Sequence, residues 1–255
     1  IMIEITQIPA LKDNYIYIVI DKDTKKTACI DPSESQPVLL FLEQNEITLD
    51  YILNTHHHSD HVGGNLELKK ETGCQVVGPE IDKKRIPGID ICLKHNEEFK
   101  LGKTVLNVFE IPGHTLGHIC FYSKTNNALF CGDTLFSLGC GRMFEGSSEQ
   151  MWNSLKLLRR LPDETIVYCA HEYSLSNSFF AIEIDPDNKC LQKKVEEIRE
   201  KRKHRIPTIP TLLSEEKKTN PFLRVDDKSF TKKLGFYDKI DFEIFAKIRL
   251  MKDNF

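Results

Sequence analysis

No stretch of the chain approaches the roughly 20 consecutive apolar residues that a membrane-spanning helix needs, and the N-terminal residues lack the basic start and apolar run of a secretory signal. The expectation is a cytoplasmic protein with no membrane partner; Ile1, ahead of Met2, is set aside. Neither sign of charge is in excess: 35 Lys and Arg against 38 Asp and Glu leave a formal net charge of −3. Nothing global therefore points to nucleic acid or an anionic surface as partner, and the basic stretch at Lys201, Arg202 and Lys203 reads as a solvated helix face. The eight cysteines contain no CxxC pair, and several, such as Cys120 and Cys131, sit in apolar strand-like runs. That excludes a disulfide framework and predicts buried, reduced thiols. There is no internal repeat and no low-complexity tract.

What is present is a 255-residue chain, 40% hydrophobic and 29% charged, enough for one large domain with a small appendage. Short β-branched runs at 16–20, 27–30, 52–54, 105–111, 119–122, 128–131 and 166–169 predict strands. Helical spacing falls between them at 38–44, 65–71 and 149–161, the last opening after Ser147-Ser148 and stopped by Pro162. From about Ser174 strand patterns vanish. Residues 189–205 form a highly charged helix candidate, Pro207, Pro210 and Pro221 break the chain into turns, and 241–252 carries Phe242, Phe245 and Ile248 on one stripe. The reading is a sheet-and-helix domain over 2–173 and a helical module over 174–255.

The chemistry concentrates in His56-His57-His58-Ser59-Asp60-His61, after the apolar run ending at Asn54 and before Gly63-Gly64. In an extended segment residues two apart face one way, so His56, His58 and Asp60 converge while His57 and Ser59 point elsewhere. Asp60 and His61, being adjacent, diverge and suit a second ion. A helix cap at Asp60 among surface histidines would account for the aspartate. It does not account for four of the chain's nine histidines falling in six positions. Each ion needs further ligands from elsewhere, and His114, Asp133 and His171 each end an apolar run that can aim a side chain at one sheet edge. His57, His95, His118 and His204 are set aside as ligands, and Cys131 and Cys140 are read as core. A donor set of imidazole and carboxylate favours zinc first, with iron or manganese tolerated.

Together with Leu11-Lys12-Asp13-Asn14-Tyr15, Gly113-His114-Thr115-Leu116-Gly117-His118, Gly132-Asp133-Thr134-Leu135-Phe136, Gly139-Cys140-Gly141-Arg142, His171-Glu172-Tyr173 and Asn220-Pro221-Phe222, this run resembles the metallo-β-lactamase superfamily. Within it the chain resembles the hydroxyacylglutathione hydrolase, or glyoxalase II, family along nearly its whole length. The resemblance implies an α+β fold, an αββα sandwich followed by a small all-helical C-terminal domain that helps bind glutathione. It implies two divalent ions, one on His56, His58 and His114, the other on Asp60, His61 and His171, with Asp133 bridging. It places substrate contacts at Arg142, Phe144, Tyr173, Arg249 and Lys252; Phe144 departs from members with tyrosine there.

The activity implied is hydrolysis of S-D-lactoylglutathione to glutathione and D-lactate, the second step of methylglyoxal detoxification. Asp60 and Asp133 would be catalytic, and the nucleophile a metal-bridging hydroxide. A monomer acting on a small-molecule thioester is expected. The alternative is a persulfide dioxygenase of the same superfamily with one iron; the complete second ligand set and the long C-terminal module argue against it. A secreted β-lactamase would carry a signal segment, and a tRNA-processing nuclease would suit a basic chain.

Overall fold

The computed structural model describes residues 2–255. They divide into two compact units, one running to Glu110 and including Leu116–Gly132, the other made of Ile111–Thr115 and Asp133–Phe255.

The first unit opens with β1 (Ile3–Ala10), β2 (Asn14–Asp21) and β3 (Thr27–Ile30), an antiparallel meander. It continues through α1 (Gln36–Gln44), β4 (Tyr51–Leu53), α2 (Ser59–Val62), α3 (Asn65–Thr72), β5 (Gln75–Pro79) and β6 (Ile89–Leu93), and β3 to β6 pair in parallel in sequence order. Parallel neighbours need a crossover, and α1 and α3 supply two of them. β3 is buried at every position, as a strand covered on both faces should be. The core beneath the helices joins Ile16, Ile18, Cys29, Val38, Leu42, Ile52, Leu68 and Val76. α3 stops at Gly73, whose φ of +73° closes the helix as its backbone N–H donates a hydrogen bond to the Lys69 carbonyl.

The same unit holds β7 (Glu98–Leu101), β8 (Thr104–Glu110), β9 (Ile119–Ser123) and β10 (Ala128–Gly132), an antiparallel ladder in that order. Tyr17 meets Phe130 and Tyr51 meets Phe99 between the two sheets. Asp21 ties them at one end. It accepts from Thr24 and from the Lys103 and Thr104 amides and the Thr104 hydroxyl, the last at 2.7 Å.

The second unit contains the short hairpin β11 (Leu135–Phe136) and β12 (Gly139–Cys140), then α4 (Ser148–Arg159) and β13 (Ile166–Cys169). α5 (Ser174–Ile184), α6 (Lys189–Lys203), β14 (Thr211–Leu212), α7 (Leu213–Thr219), α8 (Lys228–Lys233) and α9 (Asp241–Asp253) follow. α4 starts on a reciprocal capping box between Ser147 and Gln150. Within this unit the fully buried Glu216 of α7 receives Lys194 Nζ at 2.5 Å, the Thr211 hydroxyl at 2.7 Å and the Leu138 amide at 2.8 Å.

The α+β architecture stands, with two corrections. The C-terminal segment is not all helical, because Thr211–Leu212 pairs antiparallel with Ile166–Val167; two residues are too short for an alternating pattern to show. Nor are all the thiols buried: Cys92 and Cys190 are exposed and the other six are buried, with all eight free.

Candidate metal centre

In the first unit the histidine run leaves the end of β4. His58 is still extended, with φ −60° and ψ 145°, but Ser59–Val62 is a helical turn, so Asp60 does not continue the extended alternation. His56 and His58 share an extended face, whereas Asp60 and His61 leave from successive positions of a helical turn, and the run separates into two donor pairs. Gly63 is required behind this turn, since a Cβ there would meet the Ser33 carbonyl oxygen at 2.3 Å. His57 turns away to the buried Asp82, Nδ1 to Oδ2 2.8 Å, and Asp82 is held in turn by Arg85. Asn14 donates to Asp60 Oδ2 at 3.0 Å and to the Asp60 carbonyl at 3.1 Å, fixing the half-exposed carboxylate. Asp31, His56 and His61 place ligand-type atoms within 4.8 Å of one another.

In the second unit His114 donates its Nδ1 hydrogen to the Arg142 carbonyl at 2.7 Å, which leaves the Nε2 lone pair as ligand. That Nε2 lies 3.4 Å from Asp133 Oδ2, and the same oxygen lies 3.3 Å from His171 Nε2. One carboxylate oxygen thus faces two imidazoles. His171 stacks on Tyr173 with ring centroids 4.7 Å apart and planes 3° from parallel. Gly141 has no room for a side chain: a Cβ would lie 2.0 Å from the Asp133 carbonyl oxygen and 3.0 Å from His114 Nδ1.

The donors fit divalent ions. A tetrahedral ion with bonds of about 2.0–2.1 Å spaces its ligand atoms about 3.3 Å apart. Besides the two Asp133 spacings, His56 Nε2 stands 3.1 Å from His58 Nδ1, and His61 Nε2 stands 3.5 Å from Asp60 Oδ2. Thiolate ligation at Cys140 is disfavoured, because burial pushes its thiol up to about 11 despite the nearby Arg249.

The expected substrate residues are all in the second unit. Arg142 is exposed, its Nε 3.5 Å from Asp253. Phe144 is 65% exposed and sets an edge against His114 at 5.2 Å. Arg249 is only 5% exposed; it donates to the Cys140 carbonyl at 3.0 Å and to Asp253 at 2.9 Å, and lies over the Phe222 ring. Lys252 donates to the Ser176 carbonyl at 3.3 Å, and burial, then Arg249 and Arg142, push its ammonium below the usual lysine value. Sequence reading assigned no role to Asp31, Thr55 or Asp82, and gave Asn14 none beyond its motif. The available signal was polar residues at the ends of apolar strands, Asp31 after Ile30 and Thr55 after Asn54.

The profile of the metallo-beta-lactamase superfamily matches residues 12–171, and that of the hydroxyacylglutathione hydrolase C-terminus matches 172–255. The chain belongs to the metallo-β-lactamase superfamily, and its histidine and aspartate clusters mark it as a binder of divalent metal. A hydroxyacylglutathione hydrolase of Methylococcus capsulatus is 52% identical over 100% of this chain and 99% of its own length. One from Pelagibacter ubique is 48% identical over 99% of this chain and 100% of its own. Within the superfamily, the chain is therefore a member of the hydroxyacylglutathione hydrolase family of hydrolases. The crystal structure of ETHE1 from Myxococcus xanthus is also similar, with a TM-score of 0.70 and 27% identity over 97% of this chain and 90% of that one.

Proposed function

We propose that the chain hydrolyses glutathione thioesters of 2-hydroxy acids, S-D-lactoylglutathione foremost, releasing glutathione and D-lactate. In this reading His56, His58 and His114 would hold one ion and Asp60, His61 and His171 the other, with Asp133 contributing to both. Zinc is the first choice for this donor set. The observation that carries the reading is Asp133 Oδ2 set 3.4 and 3.3 Å from two imidazole nitrogens, as a carboxylate shared between two ions requires. Divalent ions bound there would supply hydroxide from water at neutral pH and polarise the thioester carbonyl.

The chain's own residues supply the rest. Asp60, held by Asn14, orients the attacking water through its carboxylate. The departing thiol has an ordinary pKa near roughly 8.5, so it leaves as thiolate without a dedicated acid. Arg142, Arg249 and Lys252 gather positive charge suited to the glutathione carboxylates, while Phe144 and Tyr173 offer aromatic surface. Residues 2–173 carry the chemistry and 174–255 much of the glutathione binding. The match at 172–255 and the 52% identical relative favour this over a one-iron dioxygenase. The test is S-D-lactoylglutathione hydrolysis by the metal-loaded chain; no turnover with this thioester would overturn the proposal.

A further inference from the structure

Asp31 directly follows β3 without joining any proposed ligand set, yet it is only 3% exposed and both of its carboxylate oxygens are engaged. Oδ1 accepts the Thr55 amide at 2.7 Å; Oδ2 accepts the Thr55 hydroxyl at 2.7 Å and faces His61 Nδ1 at 3.0 Å. A carboxylate only accepts, so His61 carries its hydrogen on Nδ1 and its lone pair on Nε2. Thr55 has a single hydroxyl hydrogen, which goes to Asp31. Its oxygen, 3.0 Å from His56 Nδ1, must then accept, so His56 also carries its hydrogen on Nδ1 and its lone pair on Nε2.

We propose that Asp31 is a positioning residue that sets the tautomer of two histidines, His61 directly and His56 through Thr55, one for each ion. This rests on the ligand assignment above and adds a coupling between the two ion positions that the assignment does not contain. The backbone at Asp31 has φ +48°, a left-handed conformation that Asp and Asn tolerate better than other residues with a Cβ. Asp31→Asn is therefore the substitution least disturbing to the backbone, yet it swaps an acceptor for an amide that cannot serve all three donors. Thr55→Val removes the relay to His56 alone, and Thr55→Ser retains it.

The experiment loads the full chain with zinc, dialyses it against graded pyridine-2,6-dicarboxylate and counts bound zinc by elemental analysis, with circular dichroism confirming the native fold. Wild type and Thr55→Ser should release zinc over the same range. Thr55→Val should release one equivalent at about 10-fold lower chelator, and Asp31→Asn should release both at about 10- to 100-fold lower. Release from Asp31→Asn indistinguishable from wild type, or of one equivalent only, overturns the coupling, as does a Thr55→Ser that behaves like Thr55→Val. If Asp31→Asn does not fold, the Thr55 pair decides: equal release from Val and Ser overturns the relay. A wild type holding a single zinc refutes the two-ion assignment on its own. The positioning role then stands if Asp31→Asn loosens that ion and falls if it does not.

Discussion

Glu216 offers a prediction worked from packing alone. Burial by itself would raise its pKa, but the charge and hydrogen bond of Lys194, with the Leu138 amide and Thr211 hydroxyl, hold it below the usual carboxylate range. Glu216→Ala leaves the Lys194 ammonium, itself 8% exposed, buried with Thr211 and the more exposed Glu215 as its remaining partners. Breaking such a pair costs about 3–5 kcal/mol, and at roughly 2–4 °C per kcal/mol for a chain near this size the midpoint should fall by about 6–20 °C. Adding Lys194→Met should recover the part due to the orphaned charge. It should leave about 1–3 kcal/mol for the Leu138 amide, which loses its acceptor. Because the folded carboxyl is depressed, its contribution is present above the unfolded carboxylate value and is lost as pH falls below it; Glu216→Gln should remove that part of the acid sensitivity. Thermal melts of the metal-loaded chain by circular dichroism read both effects. A Glu216→Ala midpoint within about 2 °C of wild type would show that the pair does not carry the stability assigned to it.

Three other outcomes follow from particular contacts. Asn14→Ala should lower kcat about 10-fold with little change in KM, since the hydrogen bond it removes fixes Asp60 for the reacting step; steady-state kinetics with S-D-lactoylglutathione decide, and a pure KM effect contradicts it. Arg142→Ala should raise KM about 10-fold and leave kcat nearly unchanged, because Arg142 contributes charge to substrate binding and not to the reacting atoms; an equal fall in kcat would move Arg142 into the chemistry. Hydrogen bonds from Thr104 and Thr24 outweigh burial at Asp21 and hold its pKa at about 2. Its stabilisation is thus present above about pH 4 and lost as pH falls toward 2. Asp21→Asn should cost roughly 2–3 kcal/mol at pH 7 and flatten the melts across that acid window.

The sequence points to the candidate ligand residues more plainly than to their local geometry. Residues at strand ends were legible because an apolar run followed by His or Asp has few alternatives; β3 and β13 occupy the very residues expected. Asp60 reads as extended because the four-residue turn Ser59–Val62 is too short to show a helical period, although Gly63-Gly64 and the capping character of Asp60 are local signals of a turn. β1 and β6 escape because Glu4 and Asp90 interrupt their apolar runs on exposed faces, and β7, Glu98-Phe99-Lys100-Leu101, alternates but is only four residues long. Arg249 reads in sequence as an exposed charge near a helix end. Its burial depends on the Cys140 carbonyl, 109 residues away, and no local pattern encodes that. Asp31 has the same strand-end signal, but its role depends on Thr55 and His61, 24 and 30 residues on, which the sequence does not connect to it.

The shared carboxylate is the centre of the account, and Asp133→Ala addresses it directly. Bound metal and S-D-lactoylglutathione hydrolysis should be measured on the same sample of wild type and variant. Two equivalents of metal and full turnover are expected for wild type. The variant should lose one equivalent and nearly all activity. Full thioesterase activity in a variant that retains one ion would contradict the shared-ligand centre.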